Sequence, residues 1–233
     1  MMQRRCRVAV KYRMAMDGIG VWGEIYGRFS AGYERITARR MLMGQNEEMI
    51  ESGSRIGGDR MKYFQIETDK KNRIPYGINV NRAVDIRYAN RDMAYKIPKY
   101  CVVDMRTPME VFFPDILIDP FLMVSEEAAQ VIDMYEPETI FKTIYLLETE
   151  SETHATYFMP FLEEVECLSE QTKRSRGGTE LHEIVLREEA VAGKTVFRIA
   201  SFTHPYLIVR LDVLESMLRR GVCGIRLKEL VTV

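Results

Sequence analysis

Cysteine is scarce, and the few present are poorly placed for chemistry that needs them in pairs. Cys6, Cys101, Cys167 and Cys223 contain no C-x-x-C spacing, which excludes the usual zinc and redox motifs. From residue 61 onward three cysteines remain, an odd number that argues against a disulfide framework. No apolar run approaches the ~18 residues a membrane-spanning helix requires. The opening "MMQRRCRVAVKYRMAM" carries charge where a signal peptide needs an apolar stretch. Phosphate-binding glycine loops are missing as well. Gly177-Gly178 stands among Lys173, Arg174 and Arg176 with neither G-x-G-x-x-G nor Walker spacing. The sequence predicts a cytoplasmic chain that needs no cofactor.

Proline is missing, and lysine nearly so, from one part only. All eight prolines lie at or beyond Pro75, whereas nine of the fifteen glycines precede Met61. Residues 1–60 hold ten Arg and one Lys against seven acidic residues, while 61–233 hold 22 basic and 27 acidic. The near-neutral total hides two segments of opposite charge. "RIGGDR" at 55–60 can be encoded as a string containing AGGAGGUGAU, a ribosome-binding sequence, just ahead of the codon for Met61. Residues 1–60 therefore read as an N-terminal extension, disordered or a mis-annotated start, to be set aside in reasoning about the fold. Residues 61–233 suit one domain, large enough to bury a core without disulfides.

Period-2 alternation predicts a strand at 61–68, and shorter strands fit 84–88 and 100–105. Prolines punctuate 98–120, which suits edge strand and coil. Ser125 as N-cap, Glu126 and Glu127 in the first turn and Pro137 as terminator mark a helix. Its inward face is Ala128, Val131, Ile132 and Tyr135. A buried strand follows at 139–147. Residues 169–180 read as a loop, and 181–187 and 195–201 read as paired strands around the turn at 191–194. Asp212 and Glu215 have capping-box spacing for a last helix that Gly221 closes, and 224–231 is a closing strand. The expected class is α+β: a mainly antiparallel sheet with two or three helices in a single domain.

Candidates for catalysis are thin. Cys167 and His182 form a conceivable thiol nucleophile and base, although His182 is in phase with Ile184 and Leu186, as a core histidine would be. His204, between Thr203 and Pro205, reads as a turn residue. The net acidic balance of 61–233 argues against nucleic acid as principal partner. Glu148, Glu150 and Glu152 at alternate positions, then Glu163, Glu164 and Glu166, are candidate partner-binding residues. Such an acidic patch suits a basic protein, for which complementary charge speeds encounter.

The segments "MKYFQIETD" at 61–69, "FLMVSEEAAQVIDMYEPETIFKTIYLL" at 121–147 and "YFMPFLEEVECLSE" at 157–170 together resemble a known family. "LHEIVLREEAVAGKTVFRIAS" at 181–201 and "YLIVRLDVLESMLRRGVCGIRLKEL" at 206–230 extend the pattern. It resembles immunity protein family eleven of bacterial polymorphic toxin systems, formerly a domain of unknown function. The resemblance spans 61–233 and begins at "MKYF". It implies an α+β toxin inhibitor, not an enzyme, that binds and neutralises a cognate toxin encoded by a neighbouring gene, by stoichiometric occlusion. The alternatives are a cytoplasmic enzyme, such as a thiol hydrolase using Cys167 and His182, or a generic adaptor.

Overall fold

The computed structural model describes residues 7–16 and 19–28 as backbone, and 61–71, 73–79, 82–108, 111–150 and 153–233 in full. The chain divides into two compact units, Met1–Gly58 and Asp59–Val233. In the first, β1 (Arg7–Met16) and β2 (Ile19–Arg28) run antiparallel, with Arg7 opposite Arg28 and Met16 opposite Ile19.

The second unit begins with β3 (Tyr63–Thr68) and β4 (Tyr76–Ile78), followed by single 3₁₀ turns at Ile86–Tyr88 and Ala94–Lys96. Then come β5 (Tyr100–Arg106), β6 (Ile116–Leu117), β7 (Met123–Val124) and the helix α1 (Glu126–Tyr135). A long hairpin, β8 (Ile140–Glu148) and β9 (Thr153–Phe161), leads to β10 (Glu164–Val165), β11 (Lys173–Arg174), β12 (Leu181–Glu183) and β13 (Val185–Leu186). The chain closes with α2 (Glu188–Val191), β14 (Val196–Ile199), β15 (Leu207–Arg210), α3 (Leu211–Arg219) and β16 (Ile225–Thr232).

These elements make two six-stranded sheets, β10-β14-β15-β3-β16-β13 and β4-β5-β8-β9-β7-β6, and a small β11-β12 ribbon. Pairing is mostly antiparallel; β5–β8, β10–β14 and β13–β16 are parallel. The fold is α+β.

Between the two sheets lies the central core. Ile66, Leu207 and Val209 from the first sheet meet Ala128, Val131 and Ile132 of α1, Val213, Leu214 and Met217 of α3, and Ile116 and Val124 at the β6–β7 edge of the second sheet. Both helices are amphipathic at i, i+3 and i+4, so each buries one stripe. Burying such side chains contributes roughly 1.5–3 kcal/mol apiece. A buried Thr68 hydroxyl fastens the layers, donating to Ile116 O at 3.1 Å and accepting from Ile118 N at 3.0 Å. The far face of the first sheet is covered by the chain around Cys167, Leu186 and Val191. The far face of the second is covered by residues near Val84, Ala94 and Ile97.

Several local expectations change. The chain at 84–88 forms a 3₁₀ turn, not a strand, because the Asp85 carboxylate accepts from Arg87 N and caps it. The stretches 181–187 and 195–201 do not pair with each other: β12 joins β11, β13 joins β16, and β14 joins β15 and β10. The short helix α2 and the left-handed Gly193 (φ 78°) carry the chain to another sheet position instead of closing a hairpin. Asp212 is not the N-cap of α3. That position is Arg210, whose guanidinium grips both Asp212 carboxylate oxygens at 2.8 and 2.7 Å.

Candidate functional site

Alternation along β5 buries Cys101, Val103 and Met105 and leaves Tyr100, Val102, Asp104 and Arg106 facing out. Strand partners lying directly opposite share a face. On this side Tyr100 is opposite Thr143, Val102 opposite Tyr145 and Asp104 opposite Leu147; Tyr76 is opposite Arg106. Across the next strand Thr143 is opposite Phe158. The face of the second sheet that turns toward α1 thus carries an aromatic and apolar group, Tyr100, Val102 and Tyr145, that runs past Thr143 to Phe158, while Asp104 and Arg106 separate it from Tyr76 on β4.

Only part of it is covered. Near β7 and β9, Phe158 and Phe141 pack into the central core beneath α1. Toward β4 and β5 nothing lies over the sheet among the described residues, and Tyr76 is 66% exposed, Tyr100 57%, Val102 52% and Tyr145 37%. The Tyr100 and Tyr145 rings stack with centroids 6.4 Å apart and planes at 21°. Lys99 Nζ sits 5.4 Å from the centre of the Tyr100 ring, a cation–π contact at the border of the patch. Glu150, in the turn after β8, borders the opposite end. Buried beneath, the Cys101 thiol is pushed up by desolvation and is inert packing material. Exposed tyrosines on a rigid sheet, rimmed by charge, are the composition of a protein-binding centre.

The six glutamates divide into two groups. Glu148 ends β8 and is spent on the chain itself: its carboxylate accepts from Thr107 N at 2.9 Å and from the Thr107 hydroxyl. Glu150 is exposed in the turn, and Glu152 lies outside the described residues. The strand stops at Glu148, so the described glutamates make no alternating comb. Glu163, Glu164 and Glu166 follow β9, about 25 Å from the turn if its nine residues run at ordinary strand rise. Glu163 holds Lys194 at 2.5 Å and Glu164 holds Arg198 at 3.6 Å. Glu166 is exposed, although its backbone carbonyl accepts from the Arg187 guanidinium at 2.6 Å. The structure therefore does not gather the six into one patch.

Cys167 is fully buried, and desolvation pushes its thiol up to about 11. A thiol so held stays protonated at neutral pH and out of reach of substrate. His182 is not the core histidine that its phase suggested. It is exposed, because β12 pairs only with β11 in a ribbon outside the main sheets, where alternation defines no buried side. His204 is in a bend, as its neighbours predicted, with its ring 4.7 Å edge-on from Tyr206. Among the described residues no group of three or more His, Cys, Asp and Glu side chains is placed to hold a metal ion.

The tyrosine face escaped the sequence reading. The apolar residues at 100, 102, 141, 145 and 147 look like core until it is known that α1 covers only one end of the sheet. Alternation at 100–106, with Tyr100 and Val102 on the side of Asp104 and Arg106, was the available signal. Comparisons with known proteins leave the site to be judged on its own geometry: no family model, no curated protein and no solved structure matches the chain.

Proposed function

We propose that this chain is an immunity protein: it binds a cognate protein toxin in the cytoplasm and neutralises it by stoichiometric occlusion. The observation that carries this reading is the uncovered aromatic face of β5 and β8, where Tyr100, Val102 and Tyr145 are exposed. Large apolar rings left in water on a sheet that has core on its other side are held there at a cost. Docking another protein recovers that cost. The pattern of segments that resembles immunity protein family eleven supports the same reading. So does the burial of Cys167, which withdraws the best nucleophile. No helix among the described residues is long and apolar enough to cross a membrane, which suits a partner met in the cytoplasm.

In this reading Tyr100, Val102 and Tyr145 form the buried centre of an interface of about 1,600 Å², the usual size for a tight inhibitor complex. Glu150 remains as a rim charge for steering. Glu148, Glu163 and Glu164 are engaged within the chain, and Glu166 stands away from the face.

The test is co-expression of the full chain with the product of the neighbouring gene. The neighbour alone should arrest growth, co-expression should restore it, and the two should co-purify in equal amounts. Tyr100→Ala with Tyr145→Ala should weaken the complex by 100-fold or more, at about 2 kcal/mol or more for a central aromatic. A neighbour that is harmless alone, or a complex indifferent to both substitutions, removes this reading.

A further inference from the structure

We infer that the partner engages this face by adding an extended strand to the open edge of β5; the inference rests on the toxin-binding reading above. Ladder parity shows which backbone groups are available. Thr143 N donates to Lys99 O at 2.9 Å, so Lys99, Cys101 and Val103 turn their backbone groups toward β8. Tyr100, Val102 and Asp104 turn theirs the other way. Asp104 and Arg106 are served there by Ile78 and Tyr76 of β4. Among the described residues no strand serves Tyr100 and Val102, because β4 ends at Ile78.

The reason it ends is specific. Arg82 N donates to Asn79 O at 3.1 Å. The Asn79 side chain then takes both backbone groups of Val84: its Nδ2 donates to Val84 O at 2.5 Å and its Oδ1 accepts from Val84 N at 3.2 Å. One asparagine thus redirects the chain under the sheet and leaves the rest of the β5 edge without a neighbouring strand among the described residues.

An edge of this kind is a template for another strand. The usual guards, proline or a bulge within the strand, do not occur between Tyr100 and Val103. What the edge selects is an extended segment, since only that conformation meets the N–H and C=O of both Tyr100 and Val102, for up to about four backbone hydrogen bonds. Alternate side chains of such a strand would continue the Tyr100–Tyr145 surface, so they should be apolar. Lys99 at the end of the edge favours a carboxylate on the incoming segment. The occupant is therefore an extended, apolar stretch of the toxin with an acidic residue at one end.

Amide hydrogen exchange at residue resolution tests this, using the full chain alone and in complex with the neighbouring gene's product. In the free chain the Tyr100 and Val102 amides should exchange at least tenfold faster than those of Cys101 and Val103. In the complex the first two should slow by at least tenfold. Val102→Pro, which deletes only the outward donor of an edge residue, should weaken binding at least tenfold. Val102→Thr should bind within threefold of the native chain. Thermal melts establish that each variant is folded, and the exchange data decide if the proline variant is not. A complex that leaves both amides fast, or Val102→Pro binding as tightly as the native chain, overturns strand addition while toxin binding stands. Both amides already slow in a chain that scatters as a dimer assigns the edge to a second copy and also overturns it. If no complex forms, both readings fall together.

Discussion

At the scale of single residues, two glycines with similar backbones make a controlled comparison. Gly221 and Gly224 both lie in the left-handed region, at φ 88° and 70°. A Cβ at Gly221 would meet nothing within 4 Å, whereas at Gly224 it would lie 2.5 Å from Phe112 Cε1 and from Pro114 Cβ, and 2.8 Å from Pro114 Cα. Gly221→Ala should therefore cost only the left-handed backbone, roughly 1 kcal/mol. Gly224→Ala adds overpacking against a proline backbone and should lose roughly a further 1–3 kcal/mol. Urea denaturation of the two variants measures the gap, and equal losses would mean that the Phe112–Pro114 segment yields. Cysteine chemistry gives a second prediction at this scale. Cys101 and Cys167 are buried and Cys223 only half-buried. In residues 59–233 expressed alone, which leave out Cys6, an excess of thiol reagent at neutral pH should modify Cys223 first. The other two should wait for unfolding, since a protonated, enclosed thiol does not react. Rapid modification of Cys167 in the folded chain would reopen the nucleophile reading.

At the scale of elements, α3 shows how a short segment is fixed at both ends by different means. Val222 N donates to Met217 O and Gly221 N to Leu218 O, each at 3.1 Å. This is the paired closure that a left-handed glycine permits. Met217 itself is fully buried in the central core, against both sheets' elements. Met217→Ala should cost about 2–5 kcal/mol, measured by chemical denaturation. A loss under 1 kcal/mol would mean that the core collapses onto the gap. Gly221 and the Leu214–Met217 stripe were legible in the sequence, as were Ser125 capping α1 and the existence of strands at β5 and β8, though not which face of each is buried. They are local, since period and cap chemistry lie within one turn or one strand. The long-range pairings were not legible. β15 is only four residues between a proline and a helix, yet it sits between β14 and β3 near the centre of its sheet. Tyr63 and Gln65 looked like an outer face of β3, but the chain around Val191 covers them, and the Tyr63 hydroxyl donates to Val191 O at 2.6 Å. The candidate site failed to show for the same reason. Exposure of Tyr100 depends on where α1 stops, and the fates of Glu148, Glu163 and Glu164 depend on a threonine, lysine or arginine at least 31 positions away.

At the scale of the molecule, the question is whether two sheets behave as one body. The central core takes residues from both, Thr68 spans them, and Arg198 adds a third tie. Arg198 leaves β14 of the first sheet and donates from Nη1 to Ala89 O at 2.6 Å, in the segment that covers the second sheet. Its guanidinium is 8% exposed with Glu164 as its one counter-ion among the described residues, and desolvation lowers its pKa. Nε has no hydrogen-bond partner. Such a charge is costly to hold, and what it gives in return is the connection between the layers. All three apolar cores of the described residues draw only on positions between 63 and 230. Residues 59–233 expressed alone should therefore unfold in a single transition, with circular dichroism and tyrosine fluorescence coincident. The midpoint of that transition is the reference for the Arg198 variant. Arg198→Ala should lower that midpoint by the equivalent of roughly 1–3 kcal/mol, the cost of leaving a half-buried carbonyl unpaired. The transition should nevertheless stay single, because the shared core outlasts the tie. Two separated transitions, in the native truncation or in the variant, would show that the sheets are independent modules. The rigid support assumed for the tyrosine face would then have to come from the second sheet alone.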